Sequence, residues 1–122
     1  MEALYENLDV FASNNKKIVL KTTSSVYLVN LKDIIRCESE KNYTHFFTQD
    51  KEKITVSKTL KEYNELLQEF NFYRVHQSHL INLAHVKRYE KNEGGHLVMD
   101  DDSTVPVSFR KKEDLMKLFK SL

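Results

Sequence analysis

Two glycines and one proline in 122 residues deprive this chain of the residues that turn a backbone most easily. Glycine enters positive φ without steric cost and proline presets φ for a turn, so reversals here must rest on Asn, Asp, Ser and Lys. Those residues cluster at short intervals in "SNNKK", "TTSS", "QDKEK" and "MDDDS". Between and beyond them lie runs rich in Val, Ile, Thr, Tyr and Phe: "KIVLKT", "VYLVNL", "DIIRCES", "YTHFFT", "KITVS", "FYRV", "HVKRYEK", "GGHLVMD" and "STVPVS". Short β-prone runs bounded by turn residues predict many short antiparallel strands.

Two segments follow a different period. In "TLKEYNELLQEF", Leu60, Tyr63, Leu66, Leu67 and Phe70 recur at helical spacing, and Thr59 with Glu62 forms a capping box. In "SFRKKEDLMKLFKSL", Ser108 is the N-cap candidate, and Leu115, Leu118, Phe119 and Leu122 share one helical face. The second helix begins with Arg110, Lys111 and Lys112, which oppose a dipole that favours anions at that end. Either these are solvated surface charges or a negative partner sits nearby. The fold class expected is mainly β, many short antiparallel strands with two short α-helices. Residues 1–14 read as a linker or a frayed terminus, and 15–122 as one domain.

Several classes of function find no support. No apolar run approaches the roughly 20 residues of a membrane span, and the start "MEALYENLDVFASNN" is acidic rather than signal-like. A cytoplasmic protein without membrane partners is expected. Cys37 is the only cysteine and reads as a small buried residue. There is no GxGxxG, P-loop or GxSxG, and Gly94-Gly95 fits a hairpin turn. His76 and His79 have an H-x-x-H spacing, but residues three apart along one strand point to opposite faces and no acid or cysteine stands near to complete a metal shell. A Cys37–His nucleophile would need a meeting in space that the sequence does not show. The expectation is therefore no enzyme, no metal and no cofactor.

Polar residues concentrate where loops should be. "SEKNYTH" supplies Lys41, Asn42, Tyr43, Thr44 and His45; "RVHQSH" supplies Arg74, His76, Gln77, Ser78 and His79; "SFRKK" supplies Ser108, Arg110, Lys111 and Lys112. These are the types that bind phosphates and read base edges. The net charge is only +1 with a pI near 7.8, below the value of about 9 common among nucleic-acid binders, so the fold would have to gather the positive groups. Arg74, His76 and Asn82 equally suit buried groups that hold an irregular turn, whereas Gln77, Arg110 and Lys111 have no evident packing role.

"FNFYRVHQSHLINLAHVKRYE" followed by "STVPVSFRKKEDLMKLF", with "VNLKDIIRCESEKNYTHFFT" and "TVSKTLKEYNELLQEF" upstream, resembles the LytTR family of DNA-binding domains over roughly residues 10–120. The resemblance implies a mainly β fold, an elongated antiparallel β-sandwich of several small sheets with two short α-helices, whose loops, rather than a recognition helix, enter DNA grooves. It places Lys41, Asn42, Tyr43 and Thr44 at a first major-groove contact, with His45 as the alternative to Thr44. It places Gln77 at the central minor groove and Arg110 at a second major-groove contact. Ser108, Lys111, His76 and Lys87 are the phosphate partners it implies. His79 and the Leu80-Ile81-Asn82 step depart from the family's usual aromatic or valine-rich residues. The family commonly forms the output half of bacterial two-component response regulators, so the implied role is transcription regulation on double-stranded DNA, at tandem direct repeats. The chain would be a monomer in solution or a dimer on DNA, with a receiver domain upstream. The rival reading is a β-rich protein-interaction or sensory domain that binds no DNA; an RNA binder is disfavoured by the few, unclustered aromatics.

Overall fold

Most of the β-prone runs become strands, and the short polar clusters between them become turns. The computed structural model describes residues 16–121, so the leader assigned to 1–14 and the position of Leu122 lie outside the described residues. The strands are β1 (Lys17–Lys21), β2 (Val26–Asn30), β3 (Ile34–Glu40), β4 (Tyr43–Thr48), β5 (Lys53–Val56), β6 (Phe72–His76), β7 (His79–Asn82), β8 (Val86–Glu90), β9 (His96–Met99) and β10 (Thr104–Pro106). They form three antiparallel sheets, ordered β1-β2, β5-β4-β3-β7-β6 and β10-β9-β8. The helices are α1 (Leu60–Leu67) and α2 (Phe109–Lys120). A mainly β fold of several small sheets and two short helices is thus what the chain adopts.

The scarcity of glycine shows in the turns. Lys41, Lys51, Asn71, Glu93 and Asp102 all take positive φ between 56° and 70°, a conformation that costs a side chain energy and that tertiary contacts must repay. Both glycines lie in the β8–β9 turn. A Cβ on Gly95 would come within 2.0 Å of the Tyr89 hydroxyl at a φ of +90°, so a larger residue there would take a strained backbone and displace the Tyr89 ring.

The five-stranded sheet is the middle layer between two cores. On one face, Ile34, Cys37, Phe46, Ile54, Val56, Phe72 and Leu80 pack against Ile18 and Leu20 of the β1–β2 hairpin and Leu60, Tyr63 and Leu67 of α1. On the other, Ile35, Val75 and Ile81 pack against Leu97, Met99 and Val105 of the three-stranded sheet and Leu115 of α2. Adjacent residues therefore face opposite cores, as with Ile34 and Ile35 or Leu80 and Ile81. That explains β7, the one strand that the sequence pattern does not announce. It is four residues long, lies between β3 and β6 and buries both faces, so it lacks the polar–apolar alternation that betrays a half-exposed strand.

The first helix forms as its sequence predicts, with one exception. Thr59 caps it by accepting the Glu62 N–H at 3.4 Å, and Leu60, Tyr63 and Leu67 are buried. Tyr63 meets the fully buried Phe46 edge-on, with centroids 4.8 Å apart. Leu66 is 53% exposed, because the core contacts only the stripe defined by residues 60, 63 and 67. At Asn82 the structural reading holds. Its side-chain amide donates to the carbonyls of Leu31 (3.3 Å) and Ile34 (2.9 Å) and accepts the Ala84 N–H at 3.0 Å.

Candidate nucleic-acid interface

The three polar clusters meet at one end of the five-stranded sheet. Lys41-Asn42 is the two-residue turn joining β3 to β4, where Glu40 pairs with Tyr43. Gln77-Ser78 is the turn joining β6 to β7, where His76 pairs with His79. Because β7 runs antiparallel to β3, the second turn falls beside the first, and the Ser39 N–H donates to the Ser78 carbonyl at 2.9 Å. The start of α2 is tied to the same end. A bulge takes Val75 out of the β6–β7 register, and its carbonyl accepts the Ser108 N–H at 2.8 Å.

These connections shape an open cleft of about 540 Å³ lined by Asn64, Arg74, His76, Gln77, Ser108, Arg110 and Lys111. Gln77 and Arg110 are exposed, while Arg74, His76, Ser108 and Lys111 are half-buried. Arg74 braces the Gln77-Ser78 turn, donating from Nη2 to the Gln77 carbonyl at 2.6 Å. His76 Nδ1 accepts the Ser78 N–H at 3.0 Å, which leaves Nε2–H as its outward donor. Ser108 adopts an N-cap backbone, yet its hydroxyl makes no capping bond and the first turn of α2 holds no acid. The cleft therefore presents guanidinium, ammonium, hydroxyl, imidazole and amide groups around a helix N-terminus, a set suited to phosphate oxygens and base edges. Lys111 Nζ lies 5.4 Å from the Tyr73 ring centroid, a contact that steadies the ammonium at the rim.

The two acids of β3 beside the Lys41 turn are occupied. Glu38 pairs with Arg36 at 2.9 Å and Glu40 with His45 at 2.7 Å. The hydrogen bond from His45, then its charge, holds the Glu40 carboxyl below its ordinary range.

Two expected contact residues sit elsewhere. Thr44 is fully buried and its hydroxyl donates to the Lys58 carbonyl at 2.6 Å; strand alternation sends Tyr43 outward and Thr44 inward. His45 is no substitute, since it is buried between Thr55 Oγ1 and Glu40 Oε1, each 2.7 Å from a ring nitrogen. The exposed groups of this turn are Lys41, Asn42 and Tyr43. Thr44→Val should lower stability by about 1 kcal/mol while leaving ligand affinity unchanged, as urea unfolding beside a binding titration would show. Lys87 is on β8, bonded to Asp102 at 2.5 Å, and lines a different groove with Leu83, Val86, Arg88, Tyr89 and Phe119.

The sequence reading also misses a member of the site and a neighbour of it. Asn64 of α1 lines the cleft, and Phe109 at the first position of α2, beside Arg110, is 86% exposed. A large aromatic beside Arg-Lys-Lys, off the buried stripe of its helix, is the signal that marks Phe109; nothing local marks Asn64.

The histidine spacing has a different meaning from the one strand periodicity gives it. His76 and His79 stand on two strands of one hairpin rather than three apart on one, and their ring centroids are 5.3 Å apart. Among the described residues, no group of three or more His, Cys, Asp or Glu is placed to hold a metal. Cys37 is fully buried, and burial pushes its thiol well above its ordinary range, which keeps it protonated and a poor nucleophile.

His79 Nδ1 is buried without a partner. Burial holds its imidazole below the ordinary value of 6.5, against the opposing pull of Glu38. The unfolded chain then binds this proton more readily than the folded one. Stability from this residue is complete above the ordinary value and is lost as pH falls through it toward the folded value. Urea melts at about pH 7.5 and 5.5 should show a smaller acid loss for His79→Phe than for the parent chain.

Comparison with known proteins agrees with this fold. Residues 24–120 match the model of the LytTr DNA-binding domain. The sensory transduction protein LytT of Bacillus subtilis is 34% identical over 104 residues, covering 84% of this chain and 43% of that protein. The heme-containing CO-sensing transcriptional regulator RcoM 2 of Paraburkholderia xenovorans is 34% identical over 105 residues, covering 84% of this chain and 39% of its own. The chain thus spans about two-fifths of the length of these relatives. A solved LytTr DNA-binding domain from Bacillus cereus superposes with a TM-score of 0.74 at 27% identity, covering 84% of this chain and 95% of that one. No helix among the described residues is long and apolar enough to cross a membrane. A strand-built domain whose loops gather cationic and amide groups at one end of a sheet, and whose sequence matches across 24–120, belongs to the LytTr family of DNA-binding domains.

Proposed function

We propose that this domain is the sequence-specific output module of a bacterial transcription regulator in the cytoplasm, docking on double-stranded DNA with the end of the sheet that carries the Lys41, Gln77 and Arg110 loops. The observation that carries the reading is the gathering of three segments, distant in sequence, at one end of the sheet: the Gln77 turn and the start of α2 line one donor-rich cleft whose lining, among the described residues, includes no acid, and the Lys41 turn lies beside the Gln77 turn. In this reading Arg110 and the Lys41–Tyr43 turn read base edges in successive major grooves, and Gln77 reaches the minor groove between them. Ser108, Lys111 and His76 hold phosphates, and Arg74 keeps the Gln77 turn in shape. Lys87 would contribute only if DNA displaced its bond to Asp102. Catalysis and a bound cofactor have no place in this scheme.

Three contact regions on one small domain span more than one groove, so the site should be short, bent on binding and repeated in tandem for two copies. In LytT and RcoM 2 the remaining length of the protein lies beyond the matched domain; a receiver or other sensory unit upstream would fill the same place here.

Selection from random duplexes, followed by fluorescence anisotropy on the enriched site at several salt concentrations, tests the reading. Enrichment of a repeated motif with a steep salt slope is expected, because phosphate neutralisation releases counterions. Lys111→Ala should weaken binding to all sequences about equally and reduce the slope by about one. Failure to enrich any motif, with weak binding that ignores salt, would leave the interaction-domain reading in its place.

A further inference from the structure

The β1–β2 hairpin is apolar on both faces. Ile18 and Leu20, with Tyr27 and Val29, turn inward to the first core. The outer face carries Val19, Val26 and Leu28, exposed by 49%, 65% and 64%. Val19 stands directly opposite Leu28, and Val26 opposite Lys21, so the three form one patch flanked by the exposed Lys17 and Lys21. The solvated face of an antiparallel sheet is ordinarily polar, and a contiguous apolar patch marks a contact surface.

We propose that the segment Glu2–Ala12 of this same chain docks on the outer face of the hairpin through Leu4, Leu8 and Phe11. These three recur at i, i+4 and i+7, a spacing that gathers them on one side of a helical turn. Residues 1–15 contain Glu2, Glu6 and Asp9 and no Lys or Arg, so the segment is opposite in charge to Lys16, Lys17 and Lys21 beside the patch. The groove on the β2 side holds Asp33, Asp50 and Glu52 and would repel it, which directs the segment along β1.

Length and connection also suit this occupant. A helical segment of that size spans about 17 Å, close to the roughly 17 Å of a five-residue strand. Ser13, Asn14 and Asn15 are turn formers able to reverse the chain before β1. A second copy of the domain is the less suited occupant, because it would set Lys17 and Lys21 against the same lysines.

The inference is independent of DNA binding, and methyl NMR of chain 1–122 tests it directly. Nuclear Overhauser contacts from Leu4, Leu8 and Phe11 to Val19, Val26 and Leu28 are expected at low protein concentration. The double substitution Leu8→Ser with Phe11→Ser should abolish them and shift those three methyl signals. A thermal melt beside the spectra checks that the variant keeps its fold. A second arm uses charge: Lys17→Glu with Lys21→Glu should weaken the contacts, and adding Glu2→Lys with Glu6→Lys should restore them. Absence of contacts in the parent chain, with hairpin signals unmoved by the serine substitutions, would overturn the proposal. So would concentration-dependent shifts accompanied by a dimer in sedimentation, which would make the occupant a second copy.

Discussion

Asn82→Ala should destabilise the domain by about 3 kcal/mol, lowering its melting temperature by roughly 12–20 °C for a domain of this size. Asn82 is 4% exposed and its one amide satisfies two carbonyls and one N–H that belong to three places in the chain. Removing it leaves the Leu31 and Ile34 carbonyls without a donor in a region water does not freely enter, and an unmet buried polar group costs more than a hydrogen bond contributes. The charged replacement sharpens the test. Asn82→Asp retains an acceptor for the Ala84 N–H but turns lone pairs toward two carbonyls, so it should be worse than alanine at neutral pH and recover partly on acidification. Thermal melts of the three proteins at two pH values would measure this. A loss under 1 kcal/mol for Asn82→Ala would mean that these hydrogen bonds are made equally well by water.

Arg110→Ala should cost about 1–3 kcal/mol of affinity for the selected operator and relax preference at one base pair. Arg110 is exposed at the first turn of α2 and borders the cleft. It makes no ion pair among the described residues, so folding does not need it and the variant should melt normally. A guanidinium meets guanine O6 and N7 with two parallel donors, which a lysine cannot copy. Arg110→Lys should therefore keep most of the salt dependence while losing most of the discrimination. Repeating the duplex selection with both variants would decide. If both bind the parent site with unchanged preference, Arg110 is a phosphate contact and the base is read from elsewhere on the cleft.

How much of this was legible beforehand depends on how local each feature is. Thr59 and Leu60–Leu67 announce α1 because a cap and an apolar stripe are made within a dozen residues. The turns at Lys41-Asn42 and Gly94-Gly95 are equally local. The strand β7 escapes because its four residues bury both faces in the middle of a sheet, which erases the alternation by which a strand is read. Thr44 escapes for a related reason. A threonine in a polar loop sequence looks like a contact, and only its position one residue inside β4 sends it to the core.

The sequence by itself determined the small antiparallel strands, the two helices, the family and the residue types available for contact. These follow from turn chemistry and periodicity, which act over a few residues. Only the tertiary structure decided which polar groups stand together. The pairing of β7 with β3 lays the Gln77 turn beside the Lys41 turn, and the bulge at Val75 frees a carbonyl that draws the start of α2 to the same end. Those contacts join residues 39 and 33 positions apart in the chain, Ser39 with Ser78 and Val75 with Ser108, set by which strand neighbours which, and no local pattern encodes them.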